Sequence, residues 1–209
     1  MEVLPVLFSI LAALLIGAMS PGPSFVMVSR LAISTSRRDG LAAALGMGAG
    51  GAAFGALALL GLATLLAQID WLYMGFKIAG GLYLLYLGIR IWRGADVPLT
   101  VATGDTGASN PGRAFAAALL TQLSNPKTAV YYGSVFVALL PAQTPLWMML
   151  VLPPLIFCLE TGWYAVVALG FSADKPRALY LRTKGWVDRA AGAVMGALGI
   201  RLLIGATDR

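Results

Sequence analysis

Two hydrophobic segments, one in each half of the chain, are broken by proline at matching places. The first reads Ile16-Gly-Ala-Met-Ser-Pro-Gly-Pro-Ser24, inside an apolar stretch that begins near Val3. The second reads Gln122-Leu-Ser-Asn-Pro-Lys127, inside an apolar stretch from about Arg113 to Leu140. Proline lacks an N–H and collides with the preceding turn, so each motif interrupts a helix and frees backbone groups. In lipid those groups must be satisfied, and broken backbone at membrane depth is tolerated only where it is buried in protein or lines a water-filled cavity. A pair of such breaks in corresponding positions of two halves points to the binding site of a transporter.

Such breaks carry this meaning only in a membrane, and the composition places the chain in one. Of 209 residues, 59% are hydrophobic and 11% charged, against about 25% charged in a soluble domain. The mean hydropathy is +0.82. A net charge of +6 would suit a nucleic-acid binder, but the positions of the basic residues exclude that partner. They fall mainly between apolar spans, as membrane topology requires. One cysteine, Cys158, rules out an internal disulfide or a dithiol redox pair. Histidine is absent, which removes the commonest metal ligand and general base. The first apolar segment does not read as a signal peptide, since it carries Glu2 in place of a basic start and continues through the Pro-Gly-Pro break.

About 20 apolar residues cross the hydrocarbon core, and six segments qualify: roughly Val3–Leu31, Gly40–Ala67, Trp71–Trp92, Arg113–Leu140, Leu146–Phe171 and Trp186–Ile204. The first and fourth exceed a straight crossing, as broken or tilted helices do. The loops between them sort by charge. Arg30, Arg37 and Arg38, then Arg90, Arg93 and Arg113, then Lys175, Arg177, Arg182, Lys184 and Arg189 all fall on one side, eleven of the 15 Lys and Arg residues. The loops around Gln68–Asp70 and Pro141–Pro145 hold none. The positive-inside rule then places both termini outside the cytoplasm. The Gly-, Thr- and Asp-rich stretch from Gly94 to Gly112 reads as a cytoplasmic linker between a first repeat at about 1–93 and a second at about 113–209, within one transporter domain. Each half has an odd number of spans, so halves sharing a fold must be inverted repeats.

Glycines crowd the second span (Gly46, Gly48, Gly50, Gly51, Gly55, Gly61), the third (Gly80, Gly81, Gly88) and the sixth (Gly192, Gly196, Gly199). Close helix packing accounts for nearly all of them, a few in the second span facing a substrate path instead; Gly192 and Gly196 could also serve a homodimer face.

Candidate site residues cluster at the breaks. Pro21, Gly22 and Pro23 leave a fresh helix N-terminus near Ser24, whose N–H groups and dipole suit a carboxylate, with the Ser20 and Ser24 hydroxyls beside it. The simpler reading is a kink with self-satisfied serines. Asn125, Pro126 and Lys127 lie about 20 Å from the cytoplasmic end of their span, counting about 1.5 Å per residue. A lysine near the midplane faces a cavity or a partner. Lys127 could hold a substrate carboxylate or pair with an acid, and Gln122 and Asn125 supply amides. Glu160 is the acid deep in span five; it could load and release a proton, recognise an amino group, or pair structurally with Lys127 or Lys77. Trp163 and Tyr164 would wall the cavity or simply pack. Lys77 snorkels outward, Asp70 is solvated, Arg37, Arg38 and Asp39 anchor the cytoplasmic rim, and Cys158 fills space.

Several runs together resemble the LysE/RhtB family of amino-acid exporters. They are Ser20-Pro-Gly-Pro-Ser-Phe25, Arg37-Arg-Asp-Gly-Leu41 with Ala44-Leu-Gly46, Lys77 to Gly88, Phe115 with Asn125-Pro-Lys127, and Asp188 to Gly199. The match runs in order along nearly the whole chain. The resemblance implies six transmembrane helices in the bacterial inner membrane, no cofactor, and export of an amino acid or close derivative by proton antiport. Its motif residues fall on Pro21, Gly22, Pro23, Asn125, Pro126 and Lys127. Distant relatives that pass electrons through a cysteine at each break are excluded here, because neither break has one. The expected protein is therefore an all-α alternating-access carrier for a zwitterion, with partners limited to substrate, protons and lipid. The single buried acid leans towards neutral amino acids. A carrier for another small metabolite and a passive pore are the rival readings; an enzyme is disfavoured by the lack of any histidine, carboxylate pair or serine–base arrangement.

Overall fold

The computed structural model describes residues 3–68, 70–98, 108–141 and 144–207. Among them the fold is all helical, with eight helices and no strand: α1 (Val3–Met19), α2 (Pro23–Ser34), α3 (Arg37–Gln68), α4 (Asp70–Gly94), α5 (Pro111–Leu123), α6 (Pro126–Leu139), α7 (Leu146–Phe171) and α8 (Asp174–Thr207). Glu2, Ile69, residues 99–107 of the expected linker, and the side chains of Asp70 and Arg177 lie outside the described residues.

Both proline motifs break their helices. α1 ends at Met19 and α2 resumes at Pro23, bent by 59°. α5 ends at Leu123 and α6 resumes at Pro126. The restarts share a design: proline takes the first helical turn, where a missing N–H costs nothing. Asn125 caps α6 by accepting from the Lys127 N–H at 3.0 Å, as Asn110 caps α5 by accepting from Arg113. Gly22 precedes α2 in extended backbone.

Four helical segments are long and apolar enough to cross a membrane, at Arg37–Gly61, Met74–Gly94, Leu146–Phe171 and Ala178–Ala206, and the bent α1–α2 pair makes a fifth. Leu4, Phe8, Leu57, Leu82, Leu150 and Val166 are exposed on these helices, which a lipid-facing surface requires. The expected apolar segments coincide with helices to within a few residues except at α8, though α5 and α6 are not among the membrane-crossing candidates. The basic run after α7, expected as a loop, is helical from Asp174 onward. Ala178-Leu179-Tyr180-Leu181 are good helix formers or pack. The Tyr180 ring also stacks on Phe25, centroids 4.9 Å apart, and meets Phe171 edge-on, which fixes this turn against α2 and α7.

Glycine sets how closely the helices approach. A Cβ at Gly46 would strike the Phe115 carbonyl of α5, and one at Gly48 would strike Thr161 of α7. α3 is thus held between α5 and α7 with little room for side chains. Along the α4–α8 seam, Gly88 and Gly192 each face the other's carbonyl, a Cβ on either falling 2.7 Å from it, and Gly81 and Gly199 repeat the arrangement. Gly192 is therefore engaged within its own chain. Without a hydrophobic force between helices in lipid, such backbone approach is what holds a bundle together. Two apolar clusters result, one around Ile10, Leu14, Phe136, Leu152 and Ile156, the other around Phe25, Ala44, Met47, Val167 and Phe171.

Candidate functional site

The break in α1–α2 leaves carbonyls at the end of α1 without helical donors, and side chains from three other helices answer them. The Trp163 indole N–H donates to the Ala18 carbonyl at 3.1 Å, and Tyr180 Oη donates to the Met19 carbonyl at 3.3 Å. Lys127 Nζ reaches the Ser20 carbonyl at 3.5 Å, a long contact that leaves its remaining N–H groups for other partners. One turn deeper, Tyr131 Oη donates to the Ala13 carbonyl at 2.6 Å, its ring lying where a Cβ on Gly17 would sit.

Between the two breaks runs a buried chain of hydrogen bonds. Asn125 Nδ2 donates to Ser24 Oγ at 3.1 Å, Ser24 Oγ donates to Gln122 Oε1 at 2.6 Å, and Gln122 Nε2 donates to Glu160 Oε2 at 2.8 Å. Tyr132 Oη closes the other end by donating to Glu160 Oε1 at 2.7 Å. The Glu160 carboxyl thus has two neutral donors as its partners rather than Lys127 or Lys77; Lys77 Nζ instead donates to the Gly205 carbonyl at 3.1 Å. α3 lies over this chain at glycine. A Cβ on Gly50 would fall 2.7 Å from Gln122, and one on Gly51 would fall 3.0 Å from Glu160 Cδ.

Two adjoining cavities meet at the breaks. A small one of about 30 Å³ is lined by Ser20, Gly22, Ser24, Gln122, Asn125, Lys127, Glu160 and Tyr164, together with Thr128, Tyr131 and Tyr132. A larger one of about 520 Å³ shares Ser20, Gly22, Asn125 and Lys127 and adds Pro21, Pro23 and Pro126. Its walls continue through Tyr83 and Arg90 of α4 and Lys184 and Asp188 of α8. Eleven of the twelve expected site residues therefore converge on one region. Trp163 lines neither cavity and supports the site from behind, as the donor to Ala18. The N-termini of α2 and α6 both open on this space, so two positive dipole ends and the Lys127 ammonium face a common volume. That arrangement suits an anionic group, and Glu160, one layer deeper, suits a cationic group or a proton.

Tyr132, Tyr131 and the α8 pair Lys184 and Asp188 were not identified as site residues from sequence. Tyrosines in an apolar helix read as core, and Asp188 reads as part of the basic rim. A buried tyrosine hydroxyl does need a partner, which was the available signal for Tyr132. Asp39 is buried and forms a reciprocal cap with Ser36, which donates to Oδ2 at 2.9 Å and accepts from the Asp39 N–H. Cys158 is exposed on α7. Among the described residues no group of three or more His, Cys, Asp or Glu is placed to hold a metal.

A family model for the LysE type translocator matches residues 15–206. The chain belongs to the LysE type translocator family. It is 36% identical to the threonine efflux protein of Salmonella typhi, over 94% of this chain and 97% of that one. It is 34% identical to the threonine efflux protein of Escherichia coli K12, over 91% and 93% respectively. An uncharacterized membrane protein of Haemophilus influenzae is 33% identical over 90% of this chain. No solved structure matches. The translocator is thus a multi-pass membrane transporter and not an enzyme.

Proposed function

We propose that this translocator exports a neutral amino acid, threonine or a close derivative, from the cytoplasm across the bacterial inner membrane by proton antiport with alternating access. The observation that carries the reading is the convergence of both broken helices, Lys127 and the Ser24–Gln122–Glu160 chain on two adjoining cavities. The substrate carboxylate meets the α2 N-terminus at Ser24 and the Lys127 ammonium. Its amino group meets Glu160, because the Ala13, Ala18 and Met19 carbonyls already have donors. Two relatives of nearly the same length bear the name threonine efflux protein, which favours that substrate over other metabolites.

In this reading α5 and α6 form a sixth, broken span. The repeats are α1–α4 and α5–α8, inverted, joined by the cytoplasmic linker. The packing supports the pairing: α3 lies along α7, α4 along α8, and α1 touches α6 as α2 touches α5. The pairing is unequal in one place, since α5 lies closely along α3 while α1 touches α7 less extensively. Rocking one repeat against the other in alternating access makes such paired contacts unequal. The large cavity is walled by Arg90 and Lys184, on the side where basic residues accumulate, so it opens to the cytoplasm and both termini face outward. Towards Glu160 the space narrows from the large cavity to the small one, which favours a carrier over a wide pore.

Glu160 is the proton carrier in this scheme. The test is efflux of labelled L-threonine from proteoliposomes under an imposed pH gradient. Wild type should respond to the gradient, and Glu160→Gln should exchange threonine without responding to it. A Glu160→Gln protein with an unchanged gradient response would remove Glu160 from the coupling.

A further inference from the structure

The two cavities differ in size. The inner cavity is small, at about 30 Å³. The outer one, at about 520 Å³, can hold an amino acid. Glu160 lines only the inner one, so an amino acid arriving from the side of Arg90 and Lys184 meets other groups before it.

Three side chains on the outer cavity are placed for that. Lys127 has its ammonium on one long contact to the Ser20 carbonyl. Ser20 is 3% exposed, and its Oγ has no hydrogen-bond partner among the described residues. Asp188 is also 3% exposed; Lys184 Nζ holds its Oδ2 at 2.8 Å, while Oδ1 has no partner among the described residues. Lys184 is fully engaged, because its ammonium also donates to the Gly94 and Ala95 carbonyls at 3.1 and 3.4 Å and so ties α8 to the end of α4. A buried polar atom without a partner costs about 1–3 kcal/mol. Two of them on one cavity wall, of opposite preference, mark places where a ligand completes the bonding.

We propose that the outer cavity is a loading site for the zwitterion, with Lys127 and Ser20 Oγ on its carboxylate and Asp188 Oδ1 on its ammonium group. Asp188 then selects for the amino group before the substrate reaches Glu160. The assignment rests on the amino-acid reading given above. It makes Asp188 a specificity residue, where the Lys184–Asp188 pair alone would be a strut.

The experiment is counterflow of labelled L-threonine by the full chain in proteoliposomes, with unlabelled L-threonine or 2,3-dihydroxybutanoate as competitor. The latter replaces the ammonium by a hydroxyl. In wild type the hydroxy acid should compete at least tenfold less well. Asp188→Asn should raise half-saturation for threonine about tenfold and bring the two competitors close together. Ser20→Ala should weaken both competitors alike, since both carry the carboxylate. Lys184→Gln, which loosens the strut and keeps the carboxylate, should lower abundance or rate and preserve the discrimination. Undiminished threonine affinity and discrimination in Asp188→Asn overturns the loading site alone, as does loss of discrimination in Lys184→Gln equal to that in Asp188→Asn. Absence of exchange by wild type with threonine and with every other neutral amino acid overturns the amino-acid reading and the loading site with it.

Discussion

Glu160 is legible in the sequence as an acid at membrane depth, but its environment is not. Its partners come from α5 and α6, at separations of 38 and 28 residues, and no local pattern encodes them. Tyr132 is the residue that this distance concealed. Tyr132→Phe removes one donor to the carboxylate without changing the packing shape; we expect it to insert normally, to lose about 1 kcal/mol of stability, and to exchange threonine severalfold more slowly. Thermal unfolding in detergent and counterflow at matched incorporation check both parts. Gly51 is the sharper case. A Cβ there would lie 3.0 Å from Glu160 Cδ and 3.1 Å from Tyr132 Oη, so Gly51→Ala must displace the hydrogen-bonded pair. Transport should fall at least tenfold in Gly51→Ala and stay near wild type in Gly162→Ala, whose Cβ would meet nothing within 4 Å. Equal transport by the two variants would show that α3 does not shape the site.

The helices themselves were largely readable, because composition and proline placement act locally. Six apolar segments, two of them broken, correspond to the observed helices, with α7 matching Leu146–Phe171 at both ends. The misreading at Lys175–Arg189 has a physical cause. Charge density signals a loop there, whereas the turn carrying Tyr180 continues the helix onto the Phe25–Phe171 pair. Caps are the other local device, and they permit a comparison between like elements. Asn125 caps α6 and also donates to Ser24, while Asn110 caps α5 at an exposed position. Each replacement by alanine should cost about 1 kcal/mol. Only Asn125→Ala should lower exchange, because it alone breaks the chain towards Glu160. Counterflow and thermal unfolding of the two variants separate the roles, and equal exchange would reduce Asn125 to a cap.

At the scale of the molecule, the bundle is organised by glycine seams whose residues could be seen in sequence while their partners could not. Gly88 and Gly192 bring α4 and α8 into backbone contact, and Lys184 ties the same helices at their basic end. Gly88→Leu or Gly192→Leu should prevent close packing and cut the yield of folded protein, measured by detergent-solubilised monodispersity. The breaks, by contrast, need only a cavity between them, and the Pro-Gly-Pro and Asn-Pro-Lys motifs indicated that cavity from sequence alone. What the sequence could not supply was its division into a large vestibule and a small inner chamber, which depends on how the helices settle together. The central claim is that this vestibule and chamber form an amino-acid site in which Lys127 takes part. The most direct test is L-threonine counterflow in proteoliposomes, wild type against Lys127→Ala at matched incorporation. Saturable exchange by wild type, lost in Lys127→Ala, is the predicted result; wild type that exchanges no amino acid, or Lys127→Ala that exchanges threonine as well as wild type, would contradict it.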